Sequence, residues 1–579
     1  LNRNFINRLN NLKYSVQELL INLDSRIKLG IIGFIVGITS GLAAVALTYA
    51  LKQAAVLTVK YQHDFINLIL PVVGIFITVV FLKYIIRDFA GHGLPEVIHS
   101  ISLKGGKIKL RSSVSRLIGS LITISCGGSA GPEAPVVVSG SAIGSNFASL
   151  FKTDERIRIA VSGSGAAAAI AAIFNAPLTG IIFTMEVIIG EWTPVYLLPV
   201  VIASVTGTEI SRILKGNQIP FTHHEISVTL TDITAAAGLA VLCALFSVFF
   251  IKLLRNTSNT LSHLFNNSLI RALVGAVPLA LIIYFLPQVR GQGYEFVENL
   301  ISGRYEEGIL AIFLVVIFKI IATSFTLGAG GAGGVFAPAL VIGSATGYLF
   351  YSLIKFIGPQ IVLTSSDLYA LMGMSGLIAG ILNAPLTGIF LIIEITDGYD
   401  AILPILLVSF ISPTIVRFFE YHSIYHYDLV RKGLLHRPRT DGRILADIRP
   451  IELLEQDQIC IYPDYRLKDL IPVIKKSPRS YFPVIDRKTE NFLGMIHFND
   501  IKELIFDPTL QETVLVEELM QTDLVTVSLS DSLLEIQKKF DTTSSWSLPV
   551  IEDNKFKGLI SKASMLDHYR KELMVQTDS

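Results

Sequence analysis

Charge is scarce in this chain. Only 16% of its 579 residues are Asp, Glu, Lys or Arg, against about 25% in an ordinary soluble protein. With 51% hydrophobic residues and a mean hydropathy of +0.57, polar groups cannot cover its surface in water, so its outer surface must face lipid. The net charge of +1 argues against nucleic acid as a partner. Cysteine is also rare: Cys126, Cys243 and Cys460 lie far apart and form neither a metal pattern nor a disulfide framework. Cys126 and Cys243, in apolar runs, read as buried structural thiols. No carboxylate cluster lies in the apolar spans, which argues against a hard-cation carrier. No catalytic constellation stands out, so an enzyme is not expected.

What is present is a succession of apolar segments from about 28 to 420. Some, such as 31–51 and 310–327, approach the ~20 residues of a spanning helix. Others are broken by Gly and Pro, as in the run ending at Asn175-Ala176-Pro177. Broken helices are tolerated in a membrane only where they line a protected cavity. The segment AIFNAPLTGIIFTMEV (172–187) returns as GILNAPLTGIFLIIEI (380–395), an offset of 208 residues. The expected fold class is therefore an α-helical polytopic membrane protein with two repeat halves, about 28–215 and 232–420, inferred to be inverted. Ahead of it, residues 1–27 read as an amphipathic interfacial helix: Phe5, Leu9, Leu12, Val16 and Leu19 recur at helical spacing among basic residues. After a basic linker (421–450), charge becomes frequent and strands alternate with helices in two α/β modules, 451–511 and 515–575. The basic residues of the linker, with Lys104, Lys107, Lys109, Arg111 and Arg116, mark the cytoplasmic side, which puts the N-terminus and the modules there.

Three Gly-rich segments each precede an apolar helix: GHGLPEV (91–97), GSAGPEAP (128–135) and GAGGVFAP (331–338). A helix start leaves backbone N–H groups unpaired at the positive end of the helix dipole, and an anion satisfies them without lysine or arginine. Partial charges bind an ion weakly enough to release it. Any one such segment alone reads as a tight turn between helices. Three in a duplicated membrane fold point to anion binding.

These segments resemble the GSGIP, GREGP and GxFxP signatures of the CLC chloride channel and transporter family, in the same order. The NAPLTG repeats resemble that family's too, as does HSIYHYDL (422–429). The paired C-terminal modules resemble the tandem CBS domains appended to many members. The resemblance implies a CLC fold and a homodimer with one anion path per subunit, carrying chloride or similar monovalent anions in a bacterial plasma membrane. It further implies anion contacts from backbone amides near Ser129, Ala130 and Gly131 and near Val335, Phe336 and Ala337. His92 and Gly93 of the first motif and the Tyr425 hydroxyl would complete them. No metal and no obligatory cofactor are implied.

Two departures bear on mechanism. Family exchangers carry a gating glutamate in the middle of the second motif, where this chain has Ala130. They carry an internal proton-transfer glutamate after the first NAPL helix, where FTMEVI keeps Glu186 but has Val187. Proton exchange needs a group that binds and releases the proton, and Ala and Val have none. The expectation is passive, proton-uncoupled anion movement by a channel or uniporter. The alternative is a proton-coupled antiporter using substitute carboxylates, with Glu133, one helical turn from Ala130, the best candidate. Glu96, Glu186 and Glu394 read as structural groups near helix ends. For His92 two readings stay open: a pH-sensitive side-chain contact to the anion, or a ring turned aside that leaves only its amide.

The CBS resemblance implies an adenine nucleotide between the modules, contacted by His497 and Asp500 of GMIHFND and by Ser561 and Ser564 of GLISKAS. Both copies depart from the signature, so a purely structural pair stands beside a nucleotide sensor. A membrane-anchored sensor with vestigial transport is the remaining alternative.

Overall fold

The computed structural model describes residues 24–59, 66–87, 93–151, 153–217, 221, 227–305, 308–431, 448–543 and 545–577. The proposed N-terminal amphipathic helix lies almost wholly outside these residues, as do His92 and most of the basic linker. The described chain forms two compact units that divide within the linker region.

The membrane unit is helical throughout, and its two halves run through the same order. The first half has α1 (Ser25–Val59), α2 (Ile66–Val80), α3 (Leu94–Leu103), α4 (Ser112–Ser125), α5 (Glu133–Leu150), α6 (Glu155–Phe174), α7 (Pro177–Phe183) and α8 (Pro194–Lys215). The second has α9 (Leu230–Leu264), α10 (Ser268–Phe285), α11 (Tyr294–Ile301), α12 (Ile309–Gly328), α13 (Phe336–Ile357), α14 (Ser366–Leu382), α15 (Pro385–Thr396) and α16 (Ile402–Phe419). A short α17 (Tyr427–Arg431) follows. Among the described residues, nine helical stretches are long and apolar enough to cross a bilayer, while others, such as α14 and α15, are shorter.

The interior is built on backbone contact rather than bulky side chains. Where α5 crosses α6, a Cβ on Gly140 would lie 2.1 Å from the Gly165 carbonyl oxygen. In the other half Gly343 and Gly373 meet in the same way, with a Cβ on Gly373 lying 2.2 Å from the Gly343 oxygen. Small residues let helices approach closely where the surrounding lipid offers no hydrophobic drive to pack them. The NAPL sequences stop one helix and start the next. Asn175 and Asn383 take left-handed φ values of 57° and 55° as C-caps of α6 and α14, and proline opens α7 and α15, where its missing N–H costs nothing.

The soluble unit contains two modules of like order. The first has α18 (Leu467–Lys476), β1 (Tyr481–Ile485) and β2 (Phe492–His497), then α19 (Phe498–Ile501), α20 (Pro508–Thr513) and α21 (Val516–Leu519). The second has α22 (Leu533–Thr543), β3 (Ser547–Glu552), β4 (Lys555–Ser561) and α23 (Lys562–Thr577). Each hairpin is antiparallel. Ahead of each hairpin the chain adds one parallel bridge, Ile461 to Val484 and Val527 to Val550. Ile448 and Leu453, N-terminal to the first module, sit in the core of the second.

Candidate anion path

Two glycine turns set the geometry. Gly127 and Gly330 take φ values of 101° and 104°, turning the chain out of α4 and α12. The next amides, Gly128 and Gly331, donate back to the carbonyls of Thr123 and Thr326, each at 2.9 Å. The turns then exchange side chains: the Ser129 amide donates to Thr326 Oγ1 and the Ala332 amide to Thr123 Oγ1, both at 3.0 Å. Between them Gly131 and Gly334 form an antiparallel bridge, with N–H···O distances of 2.9 and 2.7 Å. The second and third motifs are thus joined head to head.

This junction points the starts of α5 and α13 into one buried region. Their N-caps, Pro132 and Val335, supply no side-chain cap, so first-turn amides are left for another acceptor. Ala130, Val335, Phe336 and Ala337 are all buried here. The expected donor set is corrected in part. The amides of Ser129 and Gly131 are donated within the protein and that of Ala337 faces the Glu133 carboxyl, which leaves those of Ala130 and Phe336 as the more available donors. Tyr425 is fully buried, and its hydroxyl lies within electrostatic reach of Glu133. Gly93 caps α3 with φ 71° and packs against the Arg116 guanidinium, 3.2 Å from where a Cβ would stand.

Neither Ala130 nor Val187 carries a titratable group. Ala130 is fully buried, and Val187 is buried in a π-helical turn, Thr184–Ile189, that continues α7. Glu96 pairs with Arg116 at 3.2 Å. Glu186 and Glu394 cap helix starts across the repeat boundary: Glu186 accepts from the amides of Leu386 and Thr387, and Glu394 from those of Leu178 and Thr179.

Glu133 is different. It is fully buried at the first residue of α5, and Oε1 accepts a hydrogen bond from Tyr294 Oη. The backbone amides of Glu133 and Ala337 face its carboxyl, while Oε2 has no hydrogen bond of ordinary geometry. Tyr294 was not among the sequence candidates, although its signal was visible. GQGYEFV (291–297) repeats the pattern of GHGLPEV (91–97), and Gly293, like Gly93, is a left-handed N-cap. The fully buried Lys319 holds this loop, donating to the carbonyls of Val289 (3.0 Å) and Gly291 (2.9 Å).

In the soluble unit the nucleotide candidates already have partners. Ser561 Oγ donates to Glu455 Oε1 at 2.6 Å and is within 3.1 Å of Ser564 Oγ. Arg479 pairs with both Glu455 and Asp457 at 2.9 Å. Asp500 accepts from Gln521 Nε2, and the His497 ring lies 4.5 Å from that of Tyr481. Among the described residues, no group of His, Cys, Asp and Glu could hold a metal ion.

Residues 74–417 match the family described as "Voltage gated chloride channel", and residues 516–571 match the CBS domain. A relative from Vibrio cholerae, named H(+)/Cl(-) exchange transporter ClcA, is 28% identical over 404 residues, covering 65% of this chain and 84% of the relative. Among solved structures, a slow cyanobacterial Cl-/H+ antiporter superposes with a TM-score of 0.64 at 21% identity, covering 71% of this chain and 99% of that one. A eukaryotic CLC transporter superposes with a TM-score of 0.62 at 19% identity, covering 96% and 98%.

Proposed function

The chain belongs to the voltage-gated chloride channel family and carries a CBS domain, and from that premise we propose that it moves chloride or a similar monovalent anion passively, uncoupled from protons. The observation that carries this reading is the pair Ala130 and Val187, both buried and neither able to bind a proton. Amide dipoles at the starts of α5 and α13, with the Tyr425 hydroxyl, supply the anion contacts without a fixed positive charge. A homodimer in a bacterial plasma membrane, each subunit with its own path and the CBS modules cytoplasmic, is part of the same proposal. The CBS pair is proposed to be structural, because Glu455 and Ser564 already engage Ser561.

A second reading, proton-coupled antiport, is favoured by the buried carboxyl of Glu133, and the exchange activity in the name of the Vibrio relative agrees with it. Flux from proteoliposomes under opposed anion and proton gradients separates the two. A passive path reverses at the anion equilibrium potential at every pH. Uphill chloride accumulation driven by a pH difference alone would establish the coupled reading instead.

A further inference from the structure

The end of α2 gathers positive charge that the anion path does not use. A π-helical turn, Phe81–Ile86, extends α2, and its Lys83 ammonium donates to Ser268 Oγ at the start of α10, at 2.9 Å. Arg271 stands one turn further along α10. Arg87 follows the π-helical turn as its C-cap, and the Arg111 guanidinium donates to the Ile86 carbonyl at 3.4 Å. Four cations thus gather where α2 ends and where α10 and α4 begin. Among the described residues, none of the four forms an ion pair.

Like charges held together repel unless something negative lies between them. Arg271 shows the lack most directly: it is half-buried, and its Nε is shielded from solvent with no acceptor among the described residues. The positive end of the α10 dipole adds the same sign. Both helices belong to stretches long and apolar enough to cross a bilayer, Leu68–Ile86 and Ser268–Phe285. The cluster therefore falls where these spans leave the hydrocarbon. Beside it Tyr84, Ile85 and Ile270 are exposed, an aromatic and apolar surface of the kind that faces lipid at the bilayer edge.

We propose that the end of α2 and the start of α10 form a headgroup site for an anionic phospholipid. Its phosphodiester sits between Lys83 and Arg271, with Arg87 and Arg111 around it, and supplies the acceptor that Arg271 Nε lacks. A guanidinium suits this role, because its forked donors match phosphate oxygens. The acyl chains cover Tyr84, Ile85 and Ile270, which a free phosphate would leave bare. Basic pockets between spanning helices select anionic headgroups through charge of this kind. The two helices come from opposite halves of the repeat, so one lipid would tie the halves together at this edge. The proposal is independent of the anion path and of proton coupling.

The test is native mass spectrometry of the purified full chain in detergent, titrated with phosphatidylglycerol, phosphatidylcholine or inorganic phosphate. The proteins are wild type, R271Q, the double variant K83Q/R87Q, and K52Q, which removes an exposed cation of α1 outside the cluster. Wild type and K52Q are expected to retain phosphatidylglycerol and not phosphatidylcholine. Each basic residue near a membrane surface changes the binding of anionic lipid about fivefold. R271Q is therefore expected to weaken retention about fivefold, and K83Q/R87Q about twenty-five-fold. Lys83 and Arg87 are exposed, so the double variant carries the test if R271Q folds poorly. Retention of neither lipid by wild type, or of both equally, would overturn the site. So would wild-type retention of phosphatidylglycerol by K83Q/R87Q that elutes and melts like wild type. Inorganic phosphate bound by wild type and lost in the variants, without retained phosphatidylglycerol, would make this a site for a soluble anion and overturn the lipid assignment.

Discussion

Glu186 and Thr387 belong to opposite halves of the membrane unit, yet the Glu186 carboxylate accepts both the amide and the hydroxyl of Thr387, each at 2.7 Å. Glu394 returns the contact to the amide and hydroxyl of Thr179, again at 2.7 Å. The start of α7 is thus capped by the end of α15, and the start of α15 by the turn that extends α7. A negative group is favoured at a helix N-terminus, and here each half supplies the other's. The carboxylates that follow the NAPL helices therefore hold the halves together.

This assigns Glu186 a role separable from transport. A hydrogen bond to a charged group contributes about 1.5–3 kcal/mol, so removing the carboxylate, as in E186A or E394A, is expected to cost at least about 2 kcal/mol. Thermal unfolding in detergent should show similar losses for the two variants, with Glu186→Gln milder because the amide oxygen still accepts. Anion selectivity of the folded fraction should not change. A selectivity change in E186Q without loss of stability would place Glu186 on the anion path instead.

The glycine crossings make a sharper claim about folding. A Cβ on Gly165 would stand 1.9 Å from the Gly140 carbonyl oxygen, whereas one on Gly308 would meet nothing within 4 Å. G165A and its second-half counterpart G373A must push two helix backbones apart, and overpacking of this kind costs about 1–3 kcal/mol or more. Both are expected to give a strongly reduced monodisperse fraction on size-exclusion chromatography, with G308A unchanged. Wild-type yield from G165A would show that α5 and α6 do not pack this closely.

The duplication, the Gly-rich helix starts and the change of composition near residue 420 were all legible in the sequence, because each leaves a local signature: a repeated string, glycines before an apolar run, a rise in charge. The candidate site was legible only in part. Ser129 and Gly131 stand in the right motif, but sequence does not reveal that Thr326 and Gly334, about 200 residues away, take up their amides. Tyr294 escaped for a related reason. GQGYEFV lacks the proline of GHGLPEV, so the third pair of matching motifs went unseen until Gly93 and Gly293 proved to share a left-handed cap. Ser561 stands in a stretch that resembles a binding signature, but its partner Glu455 lies more than 100 residues earlier, where no local motif points to it.

That partner carries a prediction about nucleotides. A phosphate or ribose entering beside Ser561 would have to displace Glu455 and would meet its carboxylate and that of Asp457, with Arg479 already shared between them. A ligand at a hundred times its Kd stabilises its fold by about 2.7 kcal/mol. Millimolar ATP, ADP or AMP is expected to leave hydrogen-exchange protection over residues 451–575 of the full chain unchanged. Increased protection around Ser561 and Ser564 on adding any of the three would make the pair a sensor.

Acid should loosen the same unit, and the sign can be worked out. Asp486 accepts the amides of Thr489 and Lys488, at 2.7 and 2.9 Å, and the Thr489 hydroxyl. The Thr489 amide and hydroxyl lead in holding its carboxyl below its ordinary value. The Ser528 hydroxyl and the Leu529 amide do the same for Glu552. A carboxyl with a lower pKa folded than unfolded contributes stability above its unfolded value, about 4 for these groups. That contribution is lost as pH falls through the folded value, because the unfolded chain then binds more protons. Protection of β1–β4 is therefore expected to be flat from about pH 8 to 5.5 and to fall below about pH 4.5. D486N and E552Q should be less stable at neutral pH and show a shallower acid limb. A double variant that keeps the full wild-type acid limb would locate the titrating groups elsewhere. The loops that Asp486 and Glu552 close would then owe their order to packing rather than to charge.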